Sequence, residues 1–309
     1  MFGAVIGDTI GSIYEFDNLK SKDFPLFGQK SSFTDDSVCT VAIGMALVES
    51  LDYPPFESVL QKTCRSHLDR GYGGMFSAWM WRDPPKPYGS FGNGSAMRTS
   101  ACAWVTNDLE CALSLAADQA SVTHNHPDGI RGAQAVTAAI HLFRMNASVD
   151  EVRACISSRF NYDLARSSDQ IRPTYGFVET CNGSVPEALI CALEGISFED
   201  TIRTAISIGG DSDTIAAIAG GVAEARFEIP DEIAKVVFRC LGAETRTLQD
   251  GIRDFYRMYR GGFPQDWDST EELMRVQRWN DRLAAFAEMD AQEEAAPKAS
   301  WLKRLFGRR

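Results

Sequence analysis

The chain has 309 residues, with 31 Lys+Arg against 42 Asp+Glu and a formal net charge of −11. That length accommodates one large or two ordinary domains, and 44% hydrophobic with 24% charged residues describe a globular chain rather than a disordered one. The acidic balance argues against general nucleic-acid binding through phosphate neutralisation, and no apolar run approaches the ~18–20 residues that cross a bilayer. The first segment, MFGAVIGDTIGSIYEF, is apolar, but it has no basic leader, carries Asp8 and lacks a small-residue cleavage site. It reads as folded protein and not as a signal peptide. Asp8 and Glu15 lie seven apart, on one face of a predicted helix, where Gly7 and Gly11 allow a neighbour to come close. Glu15 reads equally well as a solvated helix end.

After Phe33-Thr34-Asp35-Asp36-Ser37, apolar residues at Val38, Val41, Ala42, Met45 and Ala46 keep the spacing of one helical face. Similar stripes follow at 109–117, 130–145, 186–195, 199–208, 214–226 and 231–241, and β-branched alternation is scarce. The Ala/Gly-rich run from Ile215 to Gly221 predicts a closely packed, buried helix. An all-α domain is expected, a compact orthogonal multi-helix body interrupted by Gly/Pro/aromatic stretches at 71–95, 124–129 and 172–186. Loops on such a scaffold are where sites tend to sit.

Two acidic clusters open predicted helices: Thr34-Asp35-Asp36, and Asp211-Ser212-Asp213-Thr214 after Gly209-Gly210. A helix N-terminus needs one capping residue. Adjacent carboxylates exceed that need, because like charges repel and raise each other's pKa, and a divalent cation would relieve the repulsion. Hard oxygen ligands suit Mg²⁺, Mn²⁺ or Ca²⁺ rather than zinc. Capping and metal binding are about equal readings of either cluster alone; the pair favours a shared metal site. The loop from Tyr88 to Arg98 is Gly-rich, so its backbone can approach a ligand, yet it lacks a P-loop's lysine and has no preceding strand. His124 and His126 share one loop without a third soft ligand, and hydrogen bonding or stacking to a ligand suits them better than zinc. The eight cysteines, at 39, 64, 102, 111, 155, 181, 191 and 240, form no C-x-x-C pair and read as reduced thiols of a cytoplasmic protein.

Composition shifts after Gly261-Gly262. Residues 270–289 predict one amphipathic helix, 290–297 a linker, and 298–309 a tail with five basic and no acidic residues. Three units are therefore expected: 1–261, a helical extension at 262–289, and a linker with basic tail at 290–309. The tail could contact an acidic partner or an anionic membrane surface, or be a solvated terminus.

In this order the motifs resemble the ADP-ribosylglycohydrolase family. The residues carrying the likeness are Gly3 to Asp8 with Gly11 to Glu15, Thr34 to Ser37, Gly89 to Arg98, Thr123-His124 and Gly209 to Thr214. The resemblance implies an all-α fold with a binuclear metal site, using two Mg²⁺ or Mn²⁺ ions to release ADP-ribose from an ADP-ribosylated protein, nucleic acid or small molecule. It implies metal ligation by Thr34, Asp35, Asp36, Asp211, Asp213 and Thr214, with Asp213 bridging. It implies that Ser90, Phe91, Gly92, Asn93 and Gly94 hold the ADP-ribose and that His124 contacts it. Catalytic work is expected of Glu15 and Asp36. Ser37 stands where the family often has Thr, and residues 262–309 match nothing in the family pattern. A two-metal phosphoesterase or a non-catalytic ADP-ribose binder are the alternatives; no stable nucleic-acid complex is expected, and the chain is expected to be monomeric.

Overall fold

A computed structural model describes residues 1–268; the predicted helix at 270–289, the linker at 290–297 and the basic tail at 298–309 lie outside the described residues. Fourteen α-helices run in order: α1 (Phe2–Gly11), α2 (Asp35–Glu49), α3 (Phe56–Arg65), α4 (Gly74–Trp79), α5 (Gly94–Met97), α6 (Leu109–Ser121), α7 (Pro127–Arg144), α8 (Val149–Phe160), α9 (Ser168–Ile171), α10 (Cys181–Glu194), α11 (Phe198–Ser207), α12 (Ser212–Arg226), α13 (Asp231–Glu244) and α14 (Arg246–Tyr259). No strand occurs among the described residues, only an isolated antiparallel bridge between Gly92 and Thr180. The all-α expectation is met. No described helix is long and apolar enough to cross a membrane.

Local sequence starts these helices. Thr34 caps α2, Asp108 caps α6, His126 caps α7 with Pro127 at its first position, and Ser148 closes a capping box with Glu151 on α8. Two expectations need adjustment. The loop predicted to 186 ends at Thr180, and Pro186 lies inside α10. The helix predicted to carry both Asp8 and Glu15 ends at Gly11; a 3-10 turn, Ser12–Tyr14, follows, and Glu15 sits just past it.

The centre of the body is the α1–α12 pair. A Cβ added to Gly3 would lie 2.3 Å from the Gly220 carbonyl oxygen, one on Gly7 would lie 1.9 Å from that of Ala216, and one on Gly11 would lie 2.6 Å from the Asp213 Cα. The two backbones therefore touch along the whole length of α1, which is why every residue from Phe2 to Gly11 is buried. That contact sets Asp8 on α1 against the first turn of α12. A buried polar staple holds the far end: Glu224 accepts from the Met1 ammonium, from the Gly3 amide at 2.8 Å and from the Tyr256 hydroxyl at 2.7 Å. These contacts offset the cost of burying a carboxylate. Past Gly261-Gly262 the chain stays on this body, since the Trp267 ring packs 5.2 Å from Phe2 and its indole N–H donates to Asp231 at 3.0 Å.

Candidate active site

A cavity of about 790 Å³ opens where the N-termini of α2 and α12 meet the start of α4 and the segments at 71–73, 88–94 and 177–180. Glu15, Asp35, Asp36, Asp211, Asp213 and Thr214 all line it, as do Ser90 to Gly94 and His124. Thr34 does not. Its hydroxyl donates to Asp8 at 2.7 Å and accepts from the Asp36 amide at 3.3 Å, which is the capping role. With Thr34 capping α2, Asp35 and Asp36 are surplus to the needs of that helix end. At α12 the surplus is plainer. Asp211 occupies the N-cap but makes no side-chain capping bond. Its carboxylate accepts instead from Asn93 Nδ2 at 2.7 Å, tying the ligand-loop candidate to the acidic cluster.

Oxygens of Glu15, Asp211 and Asp213 converge to within 4.8 Å of one another. Asp36 faces the same space: one of its oxygens accepts from the Thr214 hydroxyl at 3.2 Å, and the other, Oδ1, is buried without a partner. Asp36, Asp211 and Asp213 are 3%, 6% and 4% exposed. Burial, reinforced by the charge of Asp213, pushes the Asp211 carboxyl up to about 9 and holds Asp35 and Asp36 well above the ordinary carboxylate range. Asp213 is raised too, chiefly by burial. An orphaned buried carboxylate oxygen beside converging carboxylates is an unmet need for positive charge, and all the donors are hard oxygens. The residues present fit a hard divalent cation.

Glu15 is half-buried, and burial, followed by the charges of Asp213, Asp8 and Glu179, pushes it up to about 7. Beside it Phe16 and Phe177 stack at 6.1 Å on the outer surface. Opposite lies the 90–94 loop. The Asn93 amide donates to the Glu179 carbonyl at 2.8 Å and the Cys181 amide to the Phe91 carbonyl at 3.0 Å, so the segment before α10 braces the loop. The Gly92 amide is turned onto Ser90 Oγ at 3.1 Å. Two of the loop's backbone amides, those of Gly92 and Asn93, are therefore already engaged by the protein. His124 packs beneath, its Nδ1 2.7 Å from Thr123 Oγ1, and burial together with nearby Arg98 lowers its pKa well below the usual imidazole value. It is a neutral ring. His126 caps α7 through its side chain and is accounted for by that role.

Sequence reasoning assigned no role to three contributors, although Asp8 and Arg98 lie in the motifs it singled out. Asp8 accepts from the Thr34 amide at 2.9 Å, the Thr34 hydroxyl, the Ser37 amide at 3.0 Å and the Ser37 hydroxyl, and so builds the first turn of α2. Burial and the charge of Asp213 push it up to about 7. Arg98, fully buried, donates to Gln119 and Thr123 and so supports His124. The Glu179–Cys181 brace carried no sequence signal, because its contribution is backbone.

The sequence model of the family described as ADP-ribosylglycohydrolase matches residues 1–262. Mouse ADP-ribosylhydrolase ARH3 is 24% identical over 302 residues, spanning 73% of this chain and 82% of its own length. ADP-ribosylarginine hydrolase Tri1 of Pseudomonas putida (strain GB-1) is 25% identical over 277 residues, spanning 77% and 73%. A solved structure described as an ADP-ribosylglycohydrolase-related protein complex shares the fold with a TM-score of 0.65 at 19% identity, covering 84% of this chain and 95% of that one. With the family match extending over residues 1–262 of the 309, the chain belongs to the ADP-ribosylglycohydrolase family.

Proposed function

We propose that this protein is a metal-dependent hydrolase that releases ADP-ribose from an ADP-ribosylated target by cleaving its N- or O-glycosidic bond. The observation that carries the reading is the meeting of two surplus acidic helix ends in one cavity, with Glu15 at its edge and the 90–94 loop on its other wall. Thr34, Asp35, Asp36, Asp211, Asp213 and Thr214 would hold two Mg²⁺ or Mn²⁺ ions, the Thr34 side chain also holding Asp8 and the first turn of α2. When bound, the ions supply positive charge at the ribose hydroxyls and a water of lowered pKa.

The rest is the work of the chain itself. Glycosidic cleavage passes through an oxocarbenium-like state and needs proton transfer at the reacting centre. Glu15, with a carboxyl raised toward neutrality, can take up and return a proton there. Asp36 would support the catalytic water through its unpartnered oxygen. Ser90, Phe91, Gly92, Asn93 and Gly94 would orient the ADP-ribose, with the neutral His124 beneath the loop. The walls around Phe76, Met97 and Tyr88 would restrict bulk water.

The test is a substrate panel of ADP-ribose joined to arginine, serine, a nucleic-acid base and a small molecule, each assayed with Mg²⁺ and with Mn²⁺. Arginine belongs in it because Tri1 is named for that linkage. Release of intact ADP-ribose is the expected result. Release of phosphate or AMP with the glycosidic bond intact would replace the reading with a phosphoesterase. Tight ADP-ribose binding without turnover of any linkage would make the protein a binder.

A further inference from the structure

Glu15 and the acidic turn of α12 belong to distant parts of the chain, and neither α1 nor α12 contains the Glu15 backbone. Glu15 follows the last 3-10 turn after α1 and begins an irregular run that continues to Thr34. Asp211 and Asp213 follow Gly209 and Gly210, both in the left-handed region at φ +72° and +82°. The Asn18 side chain joins the two turns directly. Asn18 Nδ2 lies 2.8 Å from the Tyr14 carbonyl oxygen, 2.8 Å from that of Glu15 and 2.9 Å from that of Gly210, while its Oδ1 accepts from the Gly210 amide at 2.6 Å.

We infer that Asn18 is a positioning residue that locks the Glu15 turn to the Gly209-Gly210 turn, so that Glu15 keeps its place relative to Asp211 and Asp213. This rests on the reading of the site given above. A carboxamide has two N–H bonds and one carbonyl, and here both ends are engaged by backbone, one N–H being shared between two acceptors. Such a complete engagement is unusual for a residue on the exposed surface, where water would satisfy the group at no structural cost.

The partner is equally specific. Gly210 presents its N–H and its C=O to the same amide, and its left-handed backbone makes that possible. A Cβ on Gly209 would fall 3.0 Å from Asn18 Oδ1 and 2.8 Å from Lys20 Nζ, side-chain ends that could give way, and it is the left-handed φ of +72° that favours glycine at this position. Lys20 adds a second tie, donating to the Ile208 and Tyr175 carbonyls. The Glu15, Asp211 and Asp213 oxygens meet within 4.8 Å, a convergence that a small slip between the turns would undo.

The experiment uses the full chain with Asn18→Ala, and Asn18→Asp as a second variant that keeps the acceptor for the Gly210 amide. Both are measured by steady-state hydrolysis and by amide hydrogen exchange. In Asn18→Ala we expect kcat to fall about 10–100-fold, with KM changed by less than about threefold, and Asn18→Asp to fall between it and wild type. Amides of residues 14–17 and 209–211 should exchange faster together, while the core of α7 is unchanged. Wild-type kcat in both variants overturns the proposal. So does faster exchange confined to residues 14–17, which would leave the Gly210 turn independent of Asn18. Should the wild-type chain release no ADP-ribose from any substrate, the functional reading fails on its own account, and the exchange pattern still decides the link.

Discussion

At the scale of single residues, the site separates groups that build from groups that react. Asp8 builds. Its four accepted hydrogen bonds hold Thr34 and Ser37, and it is completely buried. Asp8→Asn replaces one acceptor oxygen with an N–H facing donors, so at least one buried donor loses its partner, at a cost of about 1–3 kcal/mol in chemical denaturation. Glu15 reacts. It has no bond holding its carboxylate that a glutamine would break, and Glu15→Gln keeps shape and one oxygen but cannot carry a proton. Hydrolysis should fall by about 10²–10⁴ while the variant still binds ADP-ribose in the presence of Mg²⁺. Turnover at the wild-type rate would make Glu15 a helix-end residue only. Asp213→Ala removes the carboxylate whose charge acts on Asp8, Glu15, Asp35, Asp36 and Asp211. It should abolish both hydrolysis and the thermal shift induced by Mn²⁺; Mg²⁺-dependent activity that survives would remove Asp213 from the site.

Among elements, the α1–α12 contact matters most, because it sets the first residues of the chain directly against the second acidic cluster. Gly7→Ala would drive a methyl group to 1.9 Å from the Ala216 carbonyl, against backbone that cannot rotate away. We expect a loss of about 1–3 kcal/mol or more in unfolding experiments. Gly74→Ala, with nothing within 4 Å of the added carbon, should be neutral or slightly stabilising. Equal stability of the two variants would contradict the packing. The same elements show what was readable beforehand. The stripes at 199–208, 214–226 and 231–241 correspond to α11, α12 and α13 because each buries a continuous apolar face. α14 is absent from the predicted stripes although Leu248, Ile252, Phe255 and Tyr256 repeat at helical spacing opposite a charged face, a pattern legible in the sequence. The start of α10 was misplaced because Gly183 and Pro186 are strong breakers locally, and tertiary contacts outweigh them. Asp35, Asp36, Asp211 and Asp213 were legible as surplus carboxylates at helix ends. Asn18 was not, because its role lies in pairing with backbone 192 residues away, which leaves no trace in local pattern.

For the molecule as a whole, the concentration of carboxyls in one buried cavity links stability to pH and to divalent ions. Asp8 and Glu15 are raised to about 7 and Asp211 to about 9, against ordinary values of 3.8 to 4.5 in the unfolded chain. The folded state therefore holds protons that the unfolded chain has already released above about pH 4–5. Bound protons favour folding here, so this contribution is greatest at acid pH and declines as pH rises from about 4 toward 7 and, for Asp211, toward 9. In a chelator-containing buffer, the melting temperature should fall across the upper part of that window, beyond any loss seen when Asp211 and Asp213 are both replaced by asparagine. Divalent cations compete with the same protons. Their stabilising effect should then run the opposite way, with a larger Mn²⁺-induced rise in melting temperature near pH 7.5 than near pH 5.5. A shift independent of pH would mean that the cation binds at carboxylates already ionised, away from this cavity. The paired asparagine variant makes the attribution local: it should show a smaller chelator-dependent fall, because burial still raises Asp8, Glu15, Asp35 and Asp36, and should lose the pH-dependent Mn²⁺ response while retaining the helical circular-dichroism signal of the fold.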